Sequence, residues 1–166
     1  ATQMATSMGI ESQMIEGRRV TDEESLRIVT MVYAGWINKS IVAELQALSC
    51  NALGLTGPDG GIVLSKKRAA EPIDYGFVGD VSQVNTALFN SIIEQDISPV
   101  CCAITHDQKG QLLNTNADTI ASELAVALSE HYKVNLIFCF EKDGVLSNPN
   151  DDSNGFTSLF RITNTS

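Results

Sequence analysis

Positive charge is scarce in this chain: 11 Lys and Arg stand against 20 Asp and Glu, for a net charge of −9. Phosphate backbones are bound through excess Lys and Arg, so nucleic acid is excluded as a partner. Long hydrophobic runs are missing too. No apolar stretch approaches the ~20 residues that a membrane span requires, and the N-terminus shows no basic-then-apolar leader pattern. No membrane association and a cytoplasmic location are therefore expected. Histidine is rare, at two residues, and the four cysteines Cys50, Cys101, Cys102 and Cys139 form no C-x-x-C. Without His at ligand spacing from any of them, a zinc site is excluded, and reduced, buried thiols are expected. Cys101 and Cys102 are neighbours on an apolar run. Adjacent strand residues face opposite sides and cannot bond to one another without distortion. The G-x-G-x-x-G fingerprint of dinucleotide binding is also absent.

What is present is a core-forming composition. With 43% hydrophobic and 19% charged residues over 166 positions, the chain is one domain, or most of one, and is not disordered. It has no internal repeat and no low-complexity tract. Residues near Thr2 to Met8 read as the tail of a helix stopped by Gly9. Residues 10–20 read as a short hairpin. Thr21-Asp22-Glu23-Glu24 fits a capping box, with Thr21 as N-cap of a helix, or a broken pair of helices, that runs to about Leu48. Leu26, Val29, Val32, Trp36, Val42 and Leu45 follow helical spacing and can face a sheet. Ile28, Met31 and Ile37 form a second stripe that needs a second cover.

Ala52 to Leu55 reads as a strand buried on both faces. Pro58 to Gly61 is a turn, with strands expected at Ile62 to Leu64 and Tyr75 to Val78. Val81, Val84, Leu88 and Ile92 mark a helix, and Pro99 to Ile104 a second buried strand. A turn at His106 to Gly110, a helix from Asp118 to Glu130 and a strand from Val134 to Phe140 follow. Residues 148–155 are polar and turn-rich. Strands alternating with helices predict an α/β fold, a mainly parallel sheet with helices on both faces.

The most informative stretch is Gln111-Leu112-Leu113-Asn114-Thr115-Asn116-Ala117-Asp118. Alternation along an extended segment points Asn114, Asn116 and Asp118 to one side, where a strand end meets a helix N-terminus. Clustered polar groups at such a junction can hold a small anion. The plainer reading is an Asn/Asp turn with Asp118 as helix N-cap. The visible candidates for a local positive site are Arg18, Arg19 and the Lys66-Lys67-Arg68 cluster, the latter read as a solvated loop.

Four further motifs precede that stretch in order: Gly17-Arg18-Arg19-Val20-Thr21-Asp22, Ala34-Gly35-Trp36-Ile37-Asn38-Lys39-Ser40, the run from Asn51 to Gly61, and Gly76-Phe77-Val78-Gly79-Asp80-Val81. This ordered set resembles acetylglutamate kinase, of the amino acid kinase family, over about Ala1 to Leu146. The resemblance implies a three-layer α/β/α sandwich. It also implies ATP-dependent phosphorylation, with Mg²⁺, of the side-chain carboxylate of N-acetyl-L-glutamate, a committed step of arginine biosynthesis. By the resemblance, Arg19 grips the substrate's α-carboxylate, with Arg18 the lesser candidate. Asn114 binds the same substrate, Asn116 shapes the pocket, and Asp118 orients catalytic lysines by ion pairing. Lys39 matches a position with no assigned role.

The family's Lys-x-Gly-Gly and His-Gly-Gly-Gly segments, which cradle phosphates, occur nowhere in these residues. Ala1 is read as lying past both, and the nucleotide-binding C-terminal third as following Leu146. Residues 1–147 are thus expected to be a partial acylglutamate-binding domain, and 148–166 a divergent polar tail. Two readings stay open: part of an acetylglutamate kinase, inactive alone, or a non-catalytic relic that binds an N-acylated amino acid or a protein. Family members form homodimers through the Asp22–Leu48 helix, so a homodimer or larger assembly is expected.

Overall fold

The computed structural model describes residues 14–15, 18–139, 145–146 and 155–156. The helix expected at 2–8, the end of the strand at Phe140 and most of the polar tail lie outside the described residues. Two compact units, residues 1–120 and 121–166, are distinguished.

The first unit opens with the expected hairpin. Strands β1 (Met14–Ile15) and β2 (Arg18–Arg19) pair antiparallel, Met14 with Arg19 and Ile15 with Arg18. Helix α1 (Glu23–Thr30) follows, and its cap differs from the expected one. Asp22 is the N-cap: its carboxylate accepts from the Ser25 backbone N–H at 2.7 Å. Thr21 is instead fully buried and held in extended backbone, accepting from Phe77 N–H and donating to the Tyr75 carbonyl. A residue committed to a ladder on both sides cannot also cap, so the box formed by Thr21 and Glu24 does not exist.

The helix continues through a π-helical stretch, Met31–Ile37, into α2 (Asn38–Ala47). The Asn38 N–H reaches back five residues to the Tyr33 carbonyl. Each such turn takes up more residues than an α-turn, so the apolar stripe slips around the axis. Leu26, Val29 and Val32 are buried as expected, but Trp36 is 77% exposed and Ile28, expected to lack cover, is 2% exposed. The same slip turns Asn38 inward, where its Nδ2 donates to the Val100 carbonyl at 2.8 Å.

β3 (Ala52–Leu55) runs parallel to β6 (Ser98–Cys101), in register from Ala52–Ser98 to Leu55–Cys101. Leu53 is exposed, so β3 is not covered on both faces among the described residues. The apolar run from Pro99 to Ile104 is broken. Cys102 and Ala103 carry the chain out of β6, and Ile104 begins β7 (Ile104–His106) in a second sheet. That sheet has four strands, in the order β5 (Gly79–Val84), β4 (Val63–Lys67), β7, β8 (Leu112–Asn114). β4 is parallel to β7, and the flanking pairs are antiparallel. Val81 and Val84 lie on β5, not on a helix. Helix α3 (Thr86–Ile93) starts only after Asn85, whose side-chain Oδ1 accepts from Leu88 N–H. The i, i+3 spacing of the two valines fits a helix, but pairing with β4 decides. The strand expected at Tyr75 to Val78 is reduced to two parallel bridges, Thr21 with Gly76 and Val78 with Asn114.

These bridges matter to the whole sheet. Val78 meets Asn114 of β8 while the next residue, Gly79, pairs with Lys67 of β4. The two edges of the four strands are thereby tied together through adjacent residues. Around the tie lie a core of Leu26, Val29 and Ile104, with Phe77, Tyr33 and Leu112 packed on it. Helix α4 (Ala117–Leu128) begins in the first unit and continues into the second. In the second unit, residues 133–139 form no β-ladder, unlike the strand expected there, while β9 (Val145–Leu146) and β10 (Gly155–Phe156) pair antiparallel.

The cap assignment is testable. The Asp22 carboxyl is held below its ordinary value of 3.8, first by the Ser25 backbone N–H. A lowered folded-state value contributes stability above about pH 4 that is lost as the pH falls through the lowered value. Asp22→Ala is expected to cost about 1 kcal/mol at pH 7 in urea unfolding. The difference from wild type should shrink below about pH 4. Glu24→Ala should be near neutral; equal losses at both positions would restore the capping box.

Candidate functional site

The junction of β8 and α4 holds three of the residues singled out in the sequence. Asn114 ends β8. Its backbone N–H donates to the Phe77 carbonyl at 2.9 Å, and its side-chain Nδ2 donates to Thr21 Oγ1 at 3.0 Å. Thr115 turns inward, as period-two alternation requires. Its backbone N–H donates to the Ala103 carbonyl, and its hydroxyl lies 2.7 Å from that of Thr105. Asn116 turns outward again and caps α4. Its Oδ1 accepts from Thr119 N–H at 2.9 Å and from Thr119 Oγ1 at 3.2 Å.

Asn116 is therefore the N-cap, a role expected of Asp118. Asp118 is already inside the first turn of α4, exposed, where its charge suits the helix N-terminus. The alternation that would align Asn114, Asn116 and Asp118 ends at Asn116, because the helix has started by Ala117. Asp118 makes no ion pair among the described residues.

Arg19 reaches the same neighbourhood through the backbone. It precedes Thr21 by two residues, and Thr21 is bridged to Gly76, which lies two residues before the Val78 that meets Asn114. The strand carrying Arg19 and the strand carrying Asn114 are thus joined across the segment Tyr75–Val78. Two glycines make this approach feasible. Gly76 has φ +72°, and a Cβ there would run into the Thr21 carbonyl oxygen. A Cβ on Gly79 would stand 2.8 Å from Thr115 Oγ1 and 2.9 Å from both Leu113 Cβ and Ser65 Cβ. Behind the junction Ser65, Thr105 and Thr115 are all buried, and Ser65 Oγ has no hydrogen-bond partner.

The other candidates are spent elsewhere. Lys39 donates to the Gly54 carbonyl at 3.0 Å. Lys66 and Lys67 are on β4 and not in a loop; Lys67 sits over the Phe77 ring at 4.7 Å, and Arg68 pairs with Asp80. All four cysteines are free. Burial pushes the Cys101 thiol up to about 12 and raises that of Cys102, so neither supplies a thiolate. No group of three His, Cys, Asp or Glu side chains able to hold a metal occurs among the described residues. They do not fit a protein-held Mg²⁺ site, in keeping with the preference of that ion for phosphate oxygens and water.

Thr21, Gly76 and the Thr105–Thr115 pair were not apparent as site residues in the sequence. Thr115 alone carried a signal, since it alternates between two outward asparagines. Thr21 carried none, because its partner lies 93 positions away.

The chain as a whole has known counterparts. The amino acid kinase family model matches residues 1–165, and the chain belongs to that family. Within it, the chain is similar to the acetylglutamate kinase of Parabacteroides distasonis, at 56% identity over 98% of this chain and 64% of that protein. It is also similar to those of Bacteroides thetaiotaomicron, at 52% over 97% of this chain and 63% of that protein, and Methanopyrus kandleri, at 40% over 87% and 59%. The chain therefore spans about three-fifths of the length of these relatives. Among solved structures, smu.665 from Streptococcus mutans UA159 matches with a TM-score of 0.79 at 24% identity, covering 89% of this chain and 58% of that one. N-acetylglutamate synthase from Neisseria gonorrhoeae matches with a TM-score of 0.69 at 20% identity, over 89% and 33%. At such identities these structures speak for the fold alone, an α/β fold of the amino acid kinase type.

The division of labour at the junction can be checked by unfolding. Asn116→Ala is expected to cost about 1 kcal/mol through loss of the cap. Asp118→Asn should cost only the few tenths of a kcal/mol that an exposed charge in a first turn contributes. A larger loss at Asp118 than at Asn116 would return the cap to Asp118.

Proposed function

We propose that this chain is the acylglutamate-binding part of an acetylglutamate kinase. In the complete enzyme, ATP, with Mg²⁺ carried on its phosphates, phosphorylates the side-chain carboxylate of N-acetyl-L-glutamate, the step that commits it to arginine biosynthesis. The observation that carries this reading is the joining of the Arg19 strand to Asn114 through Thr21 and Tyr75–Val78. It links, through the backbone, a strand bearing a cationic residue to one that ends in an amide, far apart in sequence. Relatives named acetylglutamate kinase, 56% and 52% identical over nearly the whole chain, support it.

The chemistry asks little of the protein in the way of proton transfer. A carboxylate is already a nucleophile, so alignment and charge neutralisation carry the rate. Arg19 would grip the α-carboxylate with its planar guanidinium. Asn114 binds the acylated glutamate beside it, and Asn116, fixed by its cap, shapes the pocket wall. Asp118 is left for ion pairing to lysines that orient the transferred phosphoryl group. Residues 1–147 serve as the acylglutamate-binding domain in this reading, and 148–166 stand apart as a polar tail. The exposed stripe Met31, Trp36, Ile37 and Ile41 serves as the contact of a homodimer or larger assembly. A cytoplasmic location suits such a role, and no helix among the described residues is long and apolar enough to cross a membrane.

Arg19→Ala is expected to weaken binding of N-acetyl-L-glutamate, measured calorimetrically, by roughly one to two powers of ten, as befits a lost charge-assisted contact. An unchanged Kd would refute the assignment of Arg19. The chain alone is expected to form no acyl phosphate from ATP, Mg²⁺ and N-acetyl-L-glutamate in a hydroxamate assay. Turnover in proportion to protein would show that the phosphate-cradling segments are dispensable.

A further inference from the structure

We infer that Thr21 is a positioning residue of the substrate site, acting through Asn114. The inference rests on the reading that Asn114 binds the acylated glutamate, and it adds a residue to which no role in that site has been given. Thr21 is wholly buried, so its side chain cannot itself meet a ligand in water. Its backbone is fixed on both sides, by the Tyr75 carbonyl at 2.9 Å and by the Phe77 N–H at 2.7 Å. Gly76, in a left-handed conformation and in contact with the Thr21 backbone, leaves that segment no alternative seating.

The hydroxyl of this immobile residue meets Asn114 Nδ2 at 3.0 Å. An asparagine side chain at the end of a strand has two free torsions and a broad terminal rotamer distribution. One hydrogen bond to a rigid, desolvated partner selects one orientation before a ligand arrives. One N–H of the amide is engaged by Thr21, which leaves the carbonyl oxygen as an acceptor and the second N–H as a donor. That oxygen is an acceptor and suits the N–H of an N-acylated amino acid; it does not suit a carboxylate. Arg19, two residues before Thr21, remains the group for the carboxylate. The same short segment Arg19–Thr21 would then set both contacts, one directly and one through Thr21.

The test is a double-mutant cycle on the chain, with N-acetyl-L-glutamate as probe and binding read by calorimetry. Thr21→Val keeps the shape and removes the hydroxyl; Thr21→Ser keeps the hydroxyl. Thr21→Val is expected to raise Kd about tenfold, the size of one net hydrogen bond, and Thr21→Ser to restore binding to within about threefold of wild type. In the Asn114→Ala background Thr21→Val should change Kd by less than about twofold, because residues acting through one another are not additive. Full additivity, or wild-type binding by Thr21→Val, would overturn the inference. A second readout is independent of the ligand: hydrogen exchange of the Asn114 side-chain amide, slowed in wild type and Thr21→Ser and released in Thr21→Val. Failure of wild type to bind N-acetyl-L-glutamate with a Thr21-dependent Asn114 amide would sink the proposed substrate and leave the positioning role standing. An Asn114 amide indifferent to Thr21→Val would sink the positioning role itself.

Discussion

The fold depends on one close approach. Val78 is bridged to β8 and Gly79 begins β5, the two edges of the four-stranded sheet, and they come together where position 79 has no room for a Cβ. A methyl group would meet Thr115, Leu113 and Ser65 simultaneously, all of them buried. Overpacking of that kind costs about 1–3 kcal/mol even where neighbours can shift. Here the neighbours are strand residues with little room to yield. Since Thr115 sits between Asn114 and Asn116, whatever fixes Thr115 fixes the spacing of the two amides. Closure of the sheet and construction of the rim are one event.

The helical side obeys a different constraint. The π-helical stretch Met31–Ile37 changes the phase between α1 and α2. Leu26, Ile28 and Val29 upstream and Val32 within it go into the core; downstream, the residue turned inward is Asn38. A buried amide needs partners, and it finds one in the Val100 carbonyl of β6 while Oδ1 stays unpaired. The phase shift thus exchanges a continuous apolar seam for a specific polar pin between helix and sheet. It also leaves Met31, Trp36, Ile37 and Ile41 on the outside. Apolar exposure of that kind on a π-distorted helix is a cost that an isolated surface would have no reason to carry, which is why the proposed dimer contact falls there.

Much of this was legible in the sequence, and the limits have physical causes. The hairpin at β1 and β2, the strand Ala52–Leu55, the turn at His106 to Gly110 and the strand-to-helix junction at Asn114–Ala117 follow from local chemistry, and local chemistry is what a sequence displays. The α/β class followed from strands alternating with helices, and the family from ordered motifs. Where the reading failed, a long-range partner decided. Val81 and Val84 are compatible with a helix until β4 is there to pair with them. Pro99 to Ile104 is one apolar run, but the two halves pair in different sheets. Trp36 sits at a regular spacing that the π-turn displaces. Thr21 looked like an N-cap because Thr followed by Glu three residues on is a common cap; its actual partners, Tyr75, Phe77 and Asn114, are invisible from its neighbours.

The hydrogen bonds at the junction suit the proposed carboxylate phosphorylation. A nucleophile that needs no deprotonation gains nothing from a general base with a tuned pKa. What such a reaction needs is a substrate held still, because effective molarity depends on reacting atoms sitting within about 3–3.5 Å and in line. The rim is built for stillness. Asn116 is tied down by its cap on Thr119, Asn114 by Thr21, and Thr115 by Thr105 and the Ala103 carbonyl. Asp118 makes no ion pair among the described residues. It is also the one residue of the four whose proposed role is to hold groups on the phosphoryl side. The hydrogen bonds that fix side chains at this junction thus end at Asn116.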